Sequence, residues 1–152
     1  MLPSEKAETS KFILPNGKNR RANNIATIAV IDDDREIRIV LSKMLRTAGL
    51  GVLTFSDGKP FLESKEIQRV DLIITDLVMK TSGQQVVKAL MNAEYSLPII
   101  VTAGHIPNNT ACYLLASGVH QILPKPFSMD SLLRLVDNWL GIAQTEKVKE
   151  PR

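Results

Sequence analysis

The sequence has few of the features that would place it in a membrane, an oxidising compartment or a disordered class. Its single cysteine, Cys112, excludes an internal disulfide and suits a reducing compartment. Apolar runs such as residues 97–101 are far too short to cross a bilayer, and residues 1–6 lack the apolar stretch of a secretory signal. We therefore expect a cytoplasmic protein without a membrane partner. With 152 residues, 44% hydrophobic and 23% charged, the chain fits one globular domain.

The net charge of +3 is concentrated in the chain ends. Residues 1–24 carry five basic and two acidic side chains, and residues 143–152 carry three basic and two acidic ones. The body between them is nearly neutral. We predict that 1–24 is a flexible basic N-terminal extension and 143–152 a polar C-terminal tail. The extension lacks interleaved aromatic residues and a recognition-helix pattern, so direct nucleic-acid binding is not expected.

Short apolar runs alternate with amphipathic segments between residues 25 and 142. The runs predict strands over 28–31, 52–55, 72–75, 97–101 and 121–123, each buried on both faces. A helix follows each strand, beginning near residues 35, 60, 84, 109 and 128, and the last buries apolar residues as far as 140. Gly49 is the expected C-terminal stop of the first helix. This alternation predicts an α/β domain, a doubly wound parallel sheet covered by helices on both faces.

Polar side chains follow the predicted strands where ligands bind in such sheets, at the carboxyl ends. Asp32, Asp33 and Asp34 follow the first strand, and Asp76 ends the third. Asp34 is explained as a helix N-cap, but a cap needs no further acids. Three neighbouring carboxylates repel one another unless a cation is present, and oxygen ligands with room for water suit Mg²⁺.

A hydroxyl and an ammonium group complete this set, because Thr102 ends the fourth strand and Lys125 follows the fifth. Each has an ordinary structural explanation when taken alone. A hard cation, a hydroxyl donor and a lysine beside a carboxylate are together the groups needed to transfer a phosphoryl group to that carboxylate.

The sequence resembles the response-regulator receiver family of two-component signalling. Four segments carry the resemblance: VIDDD at 30–34, DLIITDLVM at 71–79, IIVTA at 99–103 and LPKPF at 123–127. They lie in order and with family-like spacing over residues 25–142. The resemblance implies a flavodoxin-like (βα)5 sheet of strand order 2-1-3-4-5.

The resemblance also implies roles for individual residues. Asp76 is the expected phosphoacceptor, assisted by Thr102 and Lys125. The expected Mg²⁺ ligands are Asp32, Asp33, Asp76 and the backbone carbonyl of Val78. Lys125 precedes Pro126 in a peptide bond that is often cis in this family.

The expected function is that of a single-domain response regulator in a phosphorelay, a phosphoacceptor rather than an enzyme with a separate substrate. A sensor histidine kinase or a histidine phosphotransfer protein would supply the phosphoryl group. An output protein of unknown identity would bind the switching surface, and a homodimer is left open.

The sequence departs from the family pattern beside the phosphoacceptor. Lys80 stands where proline is usual, and Gly83 comes one residue early, which shortens the loop after Asp76. Ile122 replaces the usual aromatic switch residue. Val78 and Gly104 offer no group that orients an attacking water, so we expect a phosphoryl group that lasts longer than in chemotaxis-type proteins.

Three other functions fit parts of the pattern. A pseudo-receiver that binds partners without phosphorylation would explain the altered loop. A hydrolase of the haloacid dehalogenase type requires a second acid two residues after its nucleophile, where this chain has Val78. A nucleotide-binding domain requires a glycine-rich loop after the first strand, where this chain has acids that would repel phosphates.

Overall fold

The computed structural model describes residues 25–149, with side chains as far as residue 141, so the basic extension 1–24 lies outside the described residues. Strands and helices alternate along this part of the chain. The strands are β1 (Thr27–Ile31), β2 (Gly51–Phe55), β3 (Leu72–Asp76), β4 (Ile99–Ala103) and β5 (Gln121–Pro124). The helices are α1 (Arg35–Thr47), α2 (Gly58–Glu63), α3 (Gly83–Asn92), α4 (Asn108–Ala116) and α5 (Met129–Lys149).

All five strands are parallel and form one sheet in the order β2-β1-β3-β4-β5. This confirms the predicted fold class and strand order. The order reverses between β1 and β3, because the chain first extends the sheet toward β2 and then returns to the other side of β1. The carboxyl ends of β1 and β3 therefore flank the crevice in which such sheets bind ligands.

Alternate strand residues pack on opposite faces of the sheet, which gives the domain two apolar layers. On one face, Ile31 and Ile73 belong to a cluster with Val86 and Leu90 of α3 and with Leu114 of α4. On the other face, strand residues pack against α1 and α5 in a cluster that contains Val30, Ile74, Leu41, Leu45, Leu132 and Val136. Burial on both faces explains why the sequences of the strands are continuous apolar runs.

Helix α1 begins and ends where its sequence predicts. The Asp34 carboxylate accepts hydrogen bonds from the backbone N–H groups of Glu36 and Ile37, which identifies it as the N-cap. Gly49 follows the helix with φ of +91°, a left-handed conformation that glycine adopts without steric cost. The cap fixes the chain direction just after Asp32 and Asp33.

One predicted strand boundary was wrong, and one helix continues beyond the apolar pattern that predicted it. Strand β4 begins at Ile99 rather than residue 97, since Pro98 has no N–H group to donate to a neighbouring strand. Helix α5 continues to Lys149, through most of the segment predicted as a polar tail. Glutamine, glutamate and lysine are good helix formers, so loss of the apolar pattern after residue 141 does not end the helix. A five-residue 3₁₀ helix, Lys65–Arg69, was not predicted.

No helix in the described part of the chain is long and apolar enough to span a membrane.

Candidate functional site

The carboxyl ends of β1, β3, β4 and β5 bring the predicted site residues to one edge of the sheet. Asp76 and Thr102 are register partners in the neighbouring strands β3 and β4. The backbone N–H of Leu77 donates to the Thr102 carbonyl at 3.0 Å, which continues the pairing past Asp76. Asp32 follows β1, beside β3, and Lys125 follows β5. Residues as far apart as 93 positions in sequence thus meet at this edge.

Three carboxylates form an acidic cluster at this edge. Asp32, Asp33 and Asp76 each offer an oxygen atom, and these atoms lie within 4.8 Å of one another. Asp32 and Asp76 are buried, whereas Asp33 is exposed. Oxygen ligands on opposite sides of a Mg²⁺ ion lie about 4.2 Å apart, so small side-chain adjustments would bring all three within binding distance. The donor set, oxygen only and open to solvent through Asp33, fits Mg²⁺.

Lys125 places its ammonium group between the two buried carboxylates. Its Nζ atom lies 3.4 Å from Asp32 Oδ2 and 3.3 Å from Asp76 Oδ1. The backbone N–H of Lys125 donates to the Ala103 carbonyl at 2.8 Å, which fixes the start of the loop after β5. The Lys125–Pro126 peptide bond is cis, as predicted.

The electrostatic environment shifts two groups in the same direction. Burial, followed by the charge of Asp32, raises the pKa of Asp76, and the attraction of Lys125 opposes this without cancelling it. Burial alone would lower the pKa of Lys125, but the charges of Asp32 and Asp76 outweigh it, so the Lys125 pKa is raised. The lysine therefore stays protonated, whereas burial and the charge of Asp32 destabilise the ionised form of Asp76.

Backbone N–H groups orient the carboxylates of Asp32 and Asp76, and an arginine holds the backbone of Asp32. The N–H of Asp34 donates to Asp32 Oδ1 at 2.9 Å, and the N–H of Leu77 donates to Asp76 Oδ1 at 2.9 Å. Arg38 donates from Nη1 to the Asp32 carbonyl oxygen at 2.7 Å. The sequence offered no signal for these bonds, apart from a basic residue at position 38. They leave Asp32 Oδ2 directed at Lys125.

The shortened loop after Asp76 is held by contacts from two sides. The N–H of Thr81 donates to Asp57 Oδ1, in the loop after β2, at 2.8 Å. Gly83, the first residue of α3, donates its N–H to the Leu77 carbonyl at 2.9 Å. A Cβ atom at Gly83 would lie 2.8 Å from the Asp76 carbonyl oxygen. The early glycine thus lets α3 begin directly against the backbone of Asp76, which closes the shortened loop.

We expect Gly83→Ala to destabilise the domain by about 1–3 kcal/mol, because the added Cβ must displace either α3 or the Asp76 backbone. Urea unfolding of both proteins measures this difference. Gly104→Ala is the matched control, since a Cβ there would meet no described atom within 4 Å. Equal unfolding free energies for Gly83→Ala and the wild type would show that the loop accommodates the methyl group.

Four further residues complete the surroundings of the sheet: Val78 and His105 follow β3 and β4 at this edge, Ile122 lies within β5, and His120 precedes β5 at the opposite edge. The Val78 side chain is 74% exposed, and the proposed Mg²⁺ role of its carbonyl stays a prediction. Ile122 is half-buried and packs against the apolar layer beside α3 and α4. His105 is exposed in the loop after β4. His120 has a structural role instead, because its Nδ1 accepts from the Ile99 N–H at 3.1 Å and its ring packs edge-on against Trp139.

Comparison with known proteins gives a consistent result. The family model for the response regulator receiver domain matches residues 28–137 of this chain. A DNA-binding transcriptional regulator, NtrC of Klebsiella pneumoniae, is 31% identical over 124 residues, which cover 81% of this chain and 26% of NtrC. The response regulator protein TodT of Pseudomonas putida is 27% identical, over 93% of this chain and 63% of TodT. This chain therefore spans about a quarter of NtrC and under two thirds of TodT.

Solved structures of similar size also match. The chemotaxis protein CheY4 of Vibrio cholerae is 30% identical, with a TM-score of 0.70, over 76% of this chain and 98% of that chain. A response regulator receiver domain protein from Clostridium thermocellum is 26% identical, with a TM-score of 0.71, over 80% of this chain and 98% of that chain.

Proposed function

Because the chain belongs to the response-regulator receiver family of two-component signalling, we propose that it is a phosphorylation switch whose phosphoacceptor is Asp76. One observation carries this proposal: Asp76 lies within 3.3 Å of the Lys125 ammonium and beside two further carboxylates. The arrangement joins a nucleophile, a fixed cation and a set of metal ligands. These are the groups needed to transfer a phosphoryl group to a carboxylate.

In the proposed step, a carboxylate oxygen of Asp76 attacks the phosphorus of a phosphohistidine. A new P–O bond forms, the P–N bond breaks, and the departing imidazole nitrogen keeps the bonding electron pair and takes a proton from solvent. Lys125 then pairs with the transferred phosphoryl group. Thr102, the register partner of Asp76, donates its hydroxyl to a phosphoryl oxygen.

We propose that Asp32, Asp33, Asp76 and the Val78 carbonyl hold Mg²⁺. When bound, the ion would neutralise charge on the phosphoryl oxygens. Asp32 is held for this by the Asp34 N–H and by Arg38, so it enters the site in a fixed orientation. Asp33 is exposed, and among the described residues no hydrogen bond holds its carboxylate, which suits a ligand that binds directly or through water.

The wider function follows from this chemistry and is also a proposal. A sensor histidine kinase or histidine phosphotransfer protein supplies the phosphoryl group, and the chain is a phosphoacceptor rather than an enzyme with a separate substrate. It acts in the cytoplasm, in a phosphorelay. Phosphorylation shifts a two-state equilibrium at the surface formed by α4, β5 and α5, where an output partner binds. The apolar Val78 side chain leaves an attacking water unoriented, which favours a long-lived phosphoryl group.

The adjacent acids Asp33 and Asp34 give a matched test of this assignment. We expect Asp33→Asn to raise the Mg²⁺ concentration needed for half-maximal phosphorylation by acetyl phosphate roughly tenfold, because one anionic ligand is lost. Asp34→Asn should leave that concentration unchanged, since asparagine also caps helices. The rate of phosphorylation is measured against Mg²⁺ concentration. Equal effects of the two substitutions would contradict the metal site and leave only a general effect of charge.

A further inference from the structure

A second polar site lies beside the acidic cluster, in a groove between α1 and the edge strand β2. Its volume is about 540 Å³. Four basic residues line it: Arg35, Arg38, Lys43 and Arg46. Of the described residues that line the groove, none is acidic. This concentration of positive charge contrasts with the nearly neutral body of the domain.

Two of these cations are held in place by the fold. Arg38 donates to the Asp32 carbonyl, and Arg46 donates from Nη2 to the Val52 carbonyl at 3.1 Å. Each guanidinium group retains further N–H donors, because arginine carries five. Their positions are therefore set before any ligand binds, which lowers the entropic cost of binding. Arg35 and Lys43 are exposed and stand on the same side of the helix.

The groove also offers backbone and hydroxyl groups for hydrogen bonding. Gly51 donates its N–H to the Ala26 carbonyl, and the Phe55 carbonyl accepts from Asp32, so odd-numbered residues of β2 face β1. Successive residues of a strand direct their backbone N–H and C=O groups to opposite sides of the strand. The N–H and C=O of Thr54 therefore point to the open edge of the sheet. Ser42 is buried and lines the groove, and its hydroxyl oxygen has no hydrogen-bond partner among the described residues.

The dimensions match an extended chain. Arg35 and Arg46 are eleven residues apart on α1, which is about 16 Å along the helix axis. The five residues of β2 extend over about the same length. Ile39, 50% exposed, adds an apolar contact in the middle of the groove. Among the described residues that line the groove there is no aromatic side chain, so these residues offer no stacking surface of the kind that single-stranded nucleic acids require.

We propose that this groove binds an extended, acidic peptide segment of a partner protein, which adds to the open edge of β2. The backbone of the segment pairs with Thr54, and its carboxylates pair with the cations of α1. Alternate residues of the segment face α1, so a peptide that alternates acidic and β-branched residues has the required pattern. The site needs neither a phosphoryl group nor a metal ion.

The test is a titration of the full chain with a capped peptide of alternating Glu and Val residues. Binding is monitored by ¹H–¹⁵N NMR in the absence of Mg²⁺ and of a phosphoryl donor. We expect the amide signals of Thr54 and Lys43 to shift. Arg35→Glu combined with Lys43→Glu should weaken binding at least tenfold. The matched control, Lys59→Glu combined with Lys88→Glu, reverses two exposed charges outside the groove and should bind the peptide as the wild type does. Circular dichroism confirms that both double variants are folded.

Two further peptides separate strand addition from simple charge attraction. The same sequence with alternate backbone nitrogens methylated keeps its charge but cannot pair with a strand, and should bind about tenfold more weakly. A peptide of alternating Lys and Val should not bind. The proposal is overturned if Thr54 does not shift, if the methylated peptide binds equally well, or if the control variant loses binding to the same degree. Tighter binding of oligothymidylate at the same residues would also overturn it, in favour of a nucleic acid.

Discussion

Lys125→Met is expected to slow phosphorylation by acetyl phosphate about 100-fold at saturating Mg²⁺. The substitution removes the ammonium group that lies 3.4 Å from Asp32 Oδ2 and 3.3 Å from Asp76 Oδ1. In oxyanion holes, a fixed hydrogen-bond donor directed at developing negative charge accelerates the reaction by about two to three orders of magnitude. We expect a similar contribution from Lys125. The rate is followed by mass spectrometry of the intact protein.

The same substitution should lower the free energy of unfolding by about 2 kcal/mol in metal-free buffer, because two buried carboxylates lose their shared counter-charge. Added Mg²⁺ should restore part of the loss. Lys88→Met removes an exposed lysine on α3 and serves as the control, with neither rate nor stability expected to change. A rate for Lys125→Met within threefold of the wild type would remove Lys125 from the proposed mechanism.

Asp76→Asn is expected to stabilise the metal-free protein at neutral pH, on the order of 1 kcal/mol. Burial and the charge of Asp32 raise the pKa of Asp76, so the ionised carboxylate is less stable in the folded than in the unfolded state. Asparagine carries no charge, so the cost of burying an ionised carboxylate is absent. The gain is modest because the attraction between Asp76 and Lys125 is lost as well.

The pH dependence of this difference has a definite sign. A raised pKa means that the folded protein binds the Asp76 proton more tightly than the unfolded protein does, so lowering the pH through that pKa relieves the destabilisation. The stability advantage of Asp76→Asn should therefore shrink as the pH falls from 7 toward the acidic range, in urea unfolding with a chelator present. Asn138→Ala, which changes an exposed and uncharged residue of α5, should show no such trend. A constant or growing advantage would contradict the assigned electrostatics.

The fold could be predicted from the sequence because its signals are local and repeated. Continuous apolar runs indicate strands buried on both faces, and the 3.6-residue spacing of apolar residues indicates the helices that cover them. Asp34 and Gly49 marked the ends of α1 correctly. The end of α5 was missed, because a helix that leaves the core keeps its backbone hydrogen bonds without the apolar pattern.

The candidate site could be predicted in its members but not in its contacts. Parallel strands place their carboxyl ends at one edge, so Asp32, Asp76, Thr102 and Lys125 follow from strand order alone. The bond between Thr81 and Asp57 joins two loops that are 24 residues apart, and neither residue type signals the other. The close approach of Gly83 to the Asp76 backbone likewise depends on where α3 meets the sheet. Such features arise from tertiary packing.

The central claim, that Asp76 is a Mg²⁺-dependent phosphoacceptor, is tested most directly by the intact mass of the protein after incubation with acetyl phosphate. The wild type should gain the mass of one phosphoryl group when Mg²⁺ is present and none when it is chelated. Asp76→Asn should gain none under either condition. A folded wild type that gains no mass would contradict the claim and favour a pseudo-receiver, whereas an equal gain in Asp76→Asn would place the phosphoryl group on another residue.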